Sequence, residues 1–305
     1  MWISDVVFRG LKLVSRLVDK TRYFTKNYRF IDRRKGLDKL IIIVAGYQDF
    51  VWEKTLNRIN DASPKDCDVC VVSPGIYRTE LEKWCDLFNW SYLYCRENKL
   101  AQGQNTAIKL HENARMIFKL DEDIFVGKKY FEDLINAYEI ANSQGVYRVG
   151  MMCPLINVNG AAYRQFLINE NILDEYETLF GTARITCDDD AIYSDPRAAV
   201  FMWEHTLPLN ETIERYRNAE ETFFPAAVRF SIGAILFSRD TWEKAGCFKV
   251  AAEGQLAWEE LEICNFCFNK SYTILIANNV FAGHLGFGKQ KSVMRDFFTR
   301  NMDRF

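Results

Sequence analysis

Met116-Ile117-Phe118-Lys119-Leu120-Asp121-Glu122-Asp123 is an apolar run rich in strand formers that ends in three consecutive carboxylates. The run reads as a buried strand of an α/β sheet. Such sheets bind ligands beyond the C-terminal ends of their strands. Three acidic side chains there repel one another unless a cation sits among them. Hard divalent cations take oxygen ligands, and Mg²⁺ commonly combines one or two carboxylates with substrate phosphates. Residues i and i+2 of a strand point to the same side, so Asp121 and Asp123 can face one ion while Glu122 faces away. The competing reading is a solvated acidic turn. A second cluster, Cys187-Asp188-Asp189-Asp190, follows a polar segment, Gly181 to Thr186, with no apolar strand leading in, and reads as a loop.

Upstream, Leu40-Ile41-Ile42-Ile43-Val44-Ala45-Gly46 is a continuous β-branched run of the kind found in buried parallel strands. A helix from about Trp52 to Ile59, a strand Asp68 to Ser73, a helix Arg78 to Phe88 and a short strand Ser91 to Cys95 follow. This β-α-β-α-β order predicts a parallel sheet with helical crossovers. Arg96 to Asn105 reads as a polar loop leading into a helix Thr106 to Asn113. Its Gly103 and Asn105 are placed to expose backbone N–H groups to an anion. No G-x-G-x-x-G follows the first strand, which disfavours a dinucleotide fold, and there is no Walker A sequence.

Downstream, Tyr130 to Asn142 reads as a helix and Tyr147 to Pro154 as a strand. Residues 157–224 are polar and irregular, with interspersed aromatic residues such as Tyr163, Tyr176, Tyr193 and Trp203. They read either as an insertion that contacts a second substrate or as a helical cap. Arg229 to Phe237 is a further strand, Trp258-Glu259-Glu260 opens a helix running to about Asn269, and Tyr272 to Ala277 is the last strand. Val280 to Leu285 and a basic tail containing Lys289, Lys291 and Arg295 come after it.

The 305 residues suffice for one large core or two small ones, and 49% hydrophobic and 26% charged residues with a net charge of −2 are ordinary for a globular protein. That balance gives no reason to expect nucleic acid as a partner. Cys67-x-x-Cys70 and Cys264-x-x-Cys267 have zinc-like spacing, but both lie in apolar surroundings and read as buried free thiols of a reducing compartment. Residues 1–36 stand apart. Ile3, Val7, Leu11, Val14 and Val18 recur at helical spacing among many Lys and Arg. A basic amphipathic helix of this kind either rests on an anionic membrane surface or packs on the domain. With no signal-peptide pattern and no apolar run of membrane-spanning length, a cytoplasmic location is expected, with peripheral contact at the membrane face through residues 1–36.

The assembled order of elements over roughly Asp38 to Gly288 resembles the GT-A fold nucleotide-sugar glycosyltransferases, above all the large inverting family that builds polysaccharides. Ala45-Gly46-Tyr47 stands where that family has a small-residue turn and a Tyr against the nucleotide base. Gly103-Gln104-Asn105 resembles its Gly…Asn loop, and Asp121-Glu122-Asp123 its D-x-D metal motif. Gly233 with Gly246-Cys247-Phe248 resembles its acceptor-side strand and turn, Trp258-Glu259-Glu260 its "ED" motif, and His284 a third metal ligand. Two features depart from the pattern. Ser73-Pro74-Gly75 replaces the usual acidic pair after the second strand, and Glu260 replaces the commoner Asp.

The resemblance implies a single α/β catalytic domain over 37–305, with a mostly parallel, Rossmann-type sheet flanked by helices. A nucleotide-sugar half would span about 37–155 and an acceptor half about 156–305. It implies Mn²⁺ or Mg²⁺ held by Asp121, Asp123 and His284, with Asp123 the direct ligand and Asp121 acting through water or on the ribose. The expected donor is a nucleotide sugar, most simply a UDP-sugar, contacted by Ala45, Tyr47, Gly103, Asn105, Asp121 and Lys289. Trp258 would stack on a sugar face. Glu260, with Glu259 beside it, would be the base that activates a glycan or glycolipid hydroxyl. The bland alternative for the two glutamates is an electrostatic preference for a helix N-terminus. The competing activities are a sugar nucleotidyltransferase, whose Gly-rich loop Ala45 to Asp49 lacks, and a binding protein without turnover.

Overall fold

The computed structural model describes residues 23–186, 190–251 and 257–305. The amphipathic pattern of residues 1–22 and the acidic residues Asp188 and Asp189 lie outside the described residues. The chain forms an α/β structure around one mixed sheet. It begins with β1 (Tyr28–Ile31), β2 (Lys39–Val44), α1 (Trp52–Ala62), β3 (Cys67–Pro74), α2 (Thr79–Phe88), β4 (Ser91–Cys95), α3 (Leu100–Leu110), β5 (Met116–Asp121) and the two-residue β6 (Ile124–Phe125). Then come α4 (Tyr130–Ser143), β7 (Val149–Ile156) and five helices: α5 (Tyr163–Asn169), α6 (Leu173–Phe180), α7 (Ala191–Ser194), α8 (Pro196–Glu204) and α9 (Leu209–Arg217). The chain ends with β8 (Phe223–Pro225), β9 (Ala234–Ser238), α10 (Arg239–Lys244), α11 (Trp258–Asn269), β10 (Thr273–His284) and α12 (Lys291–Arg300).

The sheet order is β1-β4-β3-β2-β5-β9-β7-β10-β6, with β8 paired to β10. Strands β4, β3, β2 and β5 run parallel, as do β7 and β10. The two parallel blocks are joined by β9, which is antiparallel to both neighbours. Leu40 to Ile43 and every residue of β3 are buried, as strands covered on both faces require. In register, Val44 lies beside Asp121 on one side and Val72 on the other, so three strand ends finish together.

Three expectations change. The compact domain starts before Leu37: β1 adds to the sheet edge against β4. Several basic residues of the N-terminal cluster are spent there on ion pairs, Arg29 with Glu82 and Arg33 with Asp86. The segment 157–224 is largely helical rather than irregular, with Tyr163, Tyr176 and Trp203 buried. The two pieces at 272–285 form one strand, β10, which slips register against β7 between Ala277 and Phe281 before delivering His284. The C-x-x-C cysteines 67, 70, 264 and 267 are free and buried.

Candidate active site

A cavity of about 1100 Å³ opens beyond the ends of β2, β3 and β5, where an open α/β sheet binds its ligands. Val44, Pro74 and Asp121 from those strand ends contribute to its wall. The acidic triplet divides there, Asp121 ending β5 and Glu122 and Asp123 forming the turn before β6. Glu122 turns toward the β2 side. It accepts hydrogen bonds from the Gly46 N–H at 2.9 Å, the Tyr47 N–H at 3.1 Å and Trp52 Nε1 at 2.7 Å. Burial raises its pKa and these donors pull the other way. Its task is to pin the turn that presents Tyr47. That ring is 52% exposed, and its hydroxyl donates to the Pro74 carbonyl at 2.9 Å, leaving a flat aromatic surface at one end of the cavity.

Asp123 and His284 meet across the cavity floor, with Asp123 Oδ2 and His284 Nε2 3.6 Å apart. Gln48 Nε2 donates to the same Asp123 oxygen at 2.8 Å. The other ring nitrogen, His284 Nδ1, lies 2.8 Å from the Val158 carbonyl. A carbonyl only accepts, so Nδ1 carries the proton and Nε2 is the nitrogen that faces Asp123. The His284 N–H donates to Asn157 Oδ1, and its carbonyl accepts from Trp203 Nε1 at 2.9 Å. A side chain on Gly283 would meet the Trp203 ring at 2.5 Å, so only glycine lets the helical insertion close under this histidine. Burial opposes a charge on His284, but Asp123 outweighs it and the pKa rises. Burial likewise raises Asp123, but His284 outweighs it and its pKa falls.

Asp121, one side of the same floor, has a partner of its own. The Lys119 ammonium donates to Asp121 Oδ1 at 2.6 Å and to the Ile232 carbonyl at 2.6 Å. Among the described residues, no group of three or more His, Cys, Asp and Glu side chains is close enough to enclose a metal alone. The donor set does fit a divalent cation that completes its shell with substrate oxygens. One carboxylate and one imidazole face each other across a gap close to the spacing of adjacent ligands, about 3 Å when each bond is about 2.1 Å.

The two glutamates of α11 part company. Glu260 forms an ion pair with Arg229 at 3.0 Å and accepts from the Ile232 N–H at 3.2 Å. Glu259 is 7% exposed and forms part of the cavity wall. Burial pushes its pKa up, with Lys119 pulling it down and Asp121 adding to the rise.

Several expected donor contacts lie elsewhere. Ala45 is fully buried, off the cavity, and donates its N–H to the Val72 carbonyl. Gly103 and Asn105 lie inside α3 and not in a loop. Gly103 packs its bare Cα on β3, where a Cβ would come 2.9 Å from Val72. Asn105 is a joint: its Oδ1 accepts from Trp242 Nε1 and the Phe248 N–H, and its Nδ2 donates to the Phe248 and Tyr23 carbonyls. The Gly103-Gln104-Asn105 and Gly246-Cys247-Phe248 signals are therefore one structural contact. Lys289 is exposed and off the cavity wall, whereas Lys291, two residues further, is on it. Trp258 is half-buried and also off the wall. Lys119 and Gln48 went unread in the sequence, and Glu122 was read only as facing away from the ion. The available signal was a lone lysine inside an apolar strand two residues before an aspartate.

No family model matches the chain, and no curated protein does. Several solved structures are similar to the chain. The crystal structure of GalNAc-T7 with UDP, GalNAc and Mn²⁺ is 12% identical, with a TM-score of 0.49, and the match covers 83% of this chain and 45% of that one. The mannosyltransferase PcManGT from Pyrobaculum calidifontis, in complex with GDP-Man and Mn²⁺, is 15% identical with a TM-score of 0.48, covering 92% and 66%. S. aureus TarS is 14% identical with a TM-score of 0.32, covering 39% and 22%. The chain thus spans less than two thirds of each of these structures. Likeness at this level does not assign an activity, which has to come from the side chains.

Proposed function

We propose that the protein is a metal-dependent, inverting glycosyltransferase that moves a sugar from a UDP-sugar to a hydroxyl of a glycan or glycolipid. The observation that carries this reading is the pairing of Asp123 with His284 on the floor of a cavity at the strand ends, with a second carboxylate, Glu259, on its acceptor wall. When bound, Mn²⁺ or Mg²⁺ supplies a Lewis acid that neutralises the leaving diphosphate. Asp123 and the Nε2 of His284 would hold it, and Gln48 and the Val158 carbonyl fix the orientation of those two ligands. Lys291 adds a positive charge on the same wall.

Tyr47 offers its ring face to the base. A stacked ring accepts the flat face of any base, and the choice of UDP follows the family resemblance. Glu259 would take the proton of the acceptor hydroxyl as its oxygen bonds to the anomeric carbon. The bond from that carbon to the diphosphate breaks with its electron pair leaving on UDP. One displacement inverts the anomeric centre.

The test is a thermal-shift panel of UDP-, GDP-, dTDP- and CMP-linked sugars with Mn²⁺ and with EDTA, since a ligand of the native state raises the melting temperature by mass action. The expected result is a shift for the UDP-sugar alone, present only with metal. Equal shifts with and without EDTA would remove the metal from the reading.

The basic, apolar-striped residues 1–22 support a further proposal, peripheral contact with an anionic membrane. Among the described residues no helix is long and apolar enough to cross a membrane. Deleting residues 1–22 is expected to reduce partition onto phosphatidylserine-containing vesicles. Unchanged partition would end that idea.

A further inference from the structure

We infer that Lys119 is a fixed counter-ion that withholds Asp121 from the divalent cation, leaving the metal to Asp123 and His284. This rests on the metal-dependent reading above and concerns how its two aspartates divide their work.

Both aspartates face the same cavity, and each has one cationic partner, but the partners differ in kind. Lys119 precedes Asp121 by two residues on β5 and therefore shares its side of the strand. Its side chain is 2% exposed. A buried ammonium is stable only where acceptors take up its protons, and here the acceptors are Asp121 Oδ1 and the Ile232 carbonyl, both at 2.6 Å. His284 Nε2 stands 3.6 Å from Asp123, beyond hydrogen-bond distance. That gap is close to the separation of two ligands of one divalent cation, so an ion can seat between the side chains. A lysine anchored at both acceptors leaves no such gap at the Asp121 oxygen it bonds. One carboxylate is thus neutralised permanently and the other provisionally.

The geometry around Asp121 agrees. Its N–H donates to the Gly233 carbonyl at 2.8 Å, and a side chain on Gly233 would come 3.4 Å from Asp121 Oδ2. Asp121 nonetheless keeps 35% of its side chain exposed and stands on the cavity wall. Lys119 also ties Asp121 to the segment whose Ile232 N–H holds Glu260, so the donor floor and the acceptor helix share one anchor.

The experiment counts free Mn²⁺ by electron paramagnetic resonance over the full chain, with and without UDP, for the unaltered protein and for Lys119→Met, Asp121→Asn and the double variant, each checked by its melting curve. Metal affinity rises with the negative charge offered to the ion. Lys119→Met is expected to tighten Mn²⁺ binding about tenfold, because the released carboxylate joins the metal's ligands. Asp121→Asn alone is expected to change it less than about threefold, and in the Lys119→Met background to abolish the gain. A lysine that merely stabilises the fold would not tighten metal binding when removed. Folded Lys119→Met with unchanged or weaker Mn²⁺ binding overturns the inference. So does a loss of about tenfold in Asp121→Asn alone, which decides the matter even if Lys119→Met does not fold. An unaltered protein that binds no Mn²⁺ with or without UDP overturns the metal reading and this inference with it.

Discussion

Asp123→Asn is expected to lower kcat/KM for donor-dependent transfer by about a thousandfold, about 4 kcal/mol of transition-state stabilisation, with the fold retained. The substitution keeps the side-chain volume and an oxygen for Gln48 Nε2, but removes the charge that faces His284. Release of free UDP from a UDP-sugar with Mn²⁺ measures the loss, and a variant within tenfold of the unaltered protein would move the metal elsewhere. The same substitution has a signature in metal-free stability. The folded pKa of His284 is raised, because Asp123 outweighs the burial that lowers it. A raised histidine pKa contributes stability that is fully present below its unfolded value of about 6.5 and is lost as pH rises through the folded value. Asp123 itself is lowered, so its share is present above the unfolded carboxylate value and lost at acid pH as the folded value is crossed. Denaturant melts in EDTA from pH 5 to 9 should therefore show a decline through the upper range that Asp123→Asn lacks.

Glu259→Gln is expected to lower kcat by about 10² to 10⁴-fold with little change in donor KM, the loss typical of a positioned general base. Burial raises the Glu259 pKa, so the base is protonated, and activity falls, at a higher pH on the acid side than an ordinary carboxylate would give. That acid limb should vanish in Glu259→Gln. Glu260→Gln is expected to behave differently. It breaks the ion pair with Arg229 and costs about 3 kcal/mol of stability, at the low end for a largely buried pair. Its kcat should stay within about tenfold of the unaltered protein. A larger kcat loss in Glu260→Gln, together with loss of the acid limb there, would reverse the two assignments.

The parts of this molecule that were legible in the sequence are those where one physical rule dominates. The runs at 40–44, 68–73 and 116–121 are buried on both faces, so continuous apolarity marked each strand, and the acidic stop after Leu120 marked the ligand end. Polar residues used inside the structure were misread. Gln102, Gln104 and Asn105 looked like a loop because amides usually seek water, yet α3 buries them, with Asn105 satisfied by the backbone of Phe248. Tyr28 to Ile31 were grouped with the basic residues 1–36 because the charges of Arg29 and of nearby Arg33 were counted without their partners, Glu82 and Asp86, which lie far along the chain. The separation of Glu259 from Glu260 was invisible for the same reason: it depends on Arg229 and Ile232, brought in from another element.

The position of β9 bears on how the chain acquires its structure in the first place. Strand β5 is built early, but the strand that covers its free edge arrives much later; the Lys119–Ile232 contact alone joins residues 113 apart. On a ribosome the four parallel strands β1-flanked at one end would present an unpaired, apolar edge at β5 until β9 emerges, and β7 would wait for the same strand. Such an edge is a template for wrong pairing between nascent chains. The long-range closure also makes for slow folding, because the loop entropy is lost before the contact is gained. The early-synthesised strands and the later ones therefore complete as a unit, and a cut near residue 155 would part β5 and β7 from the strand that joins them.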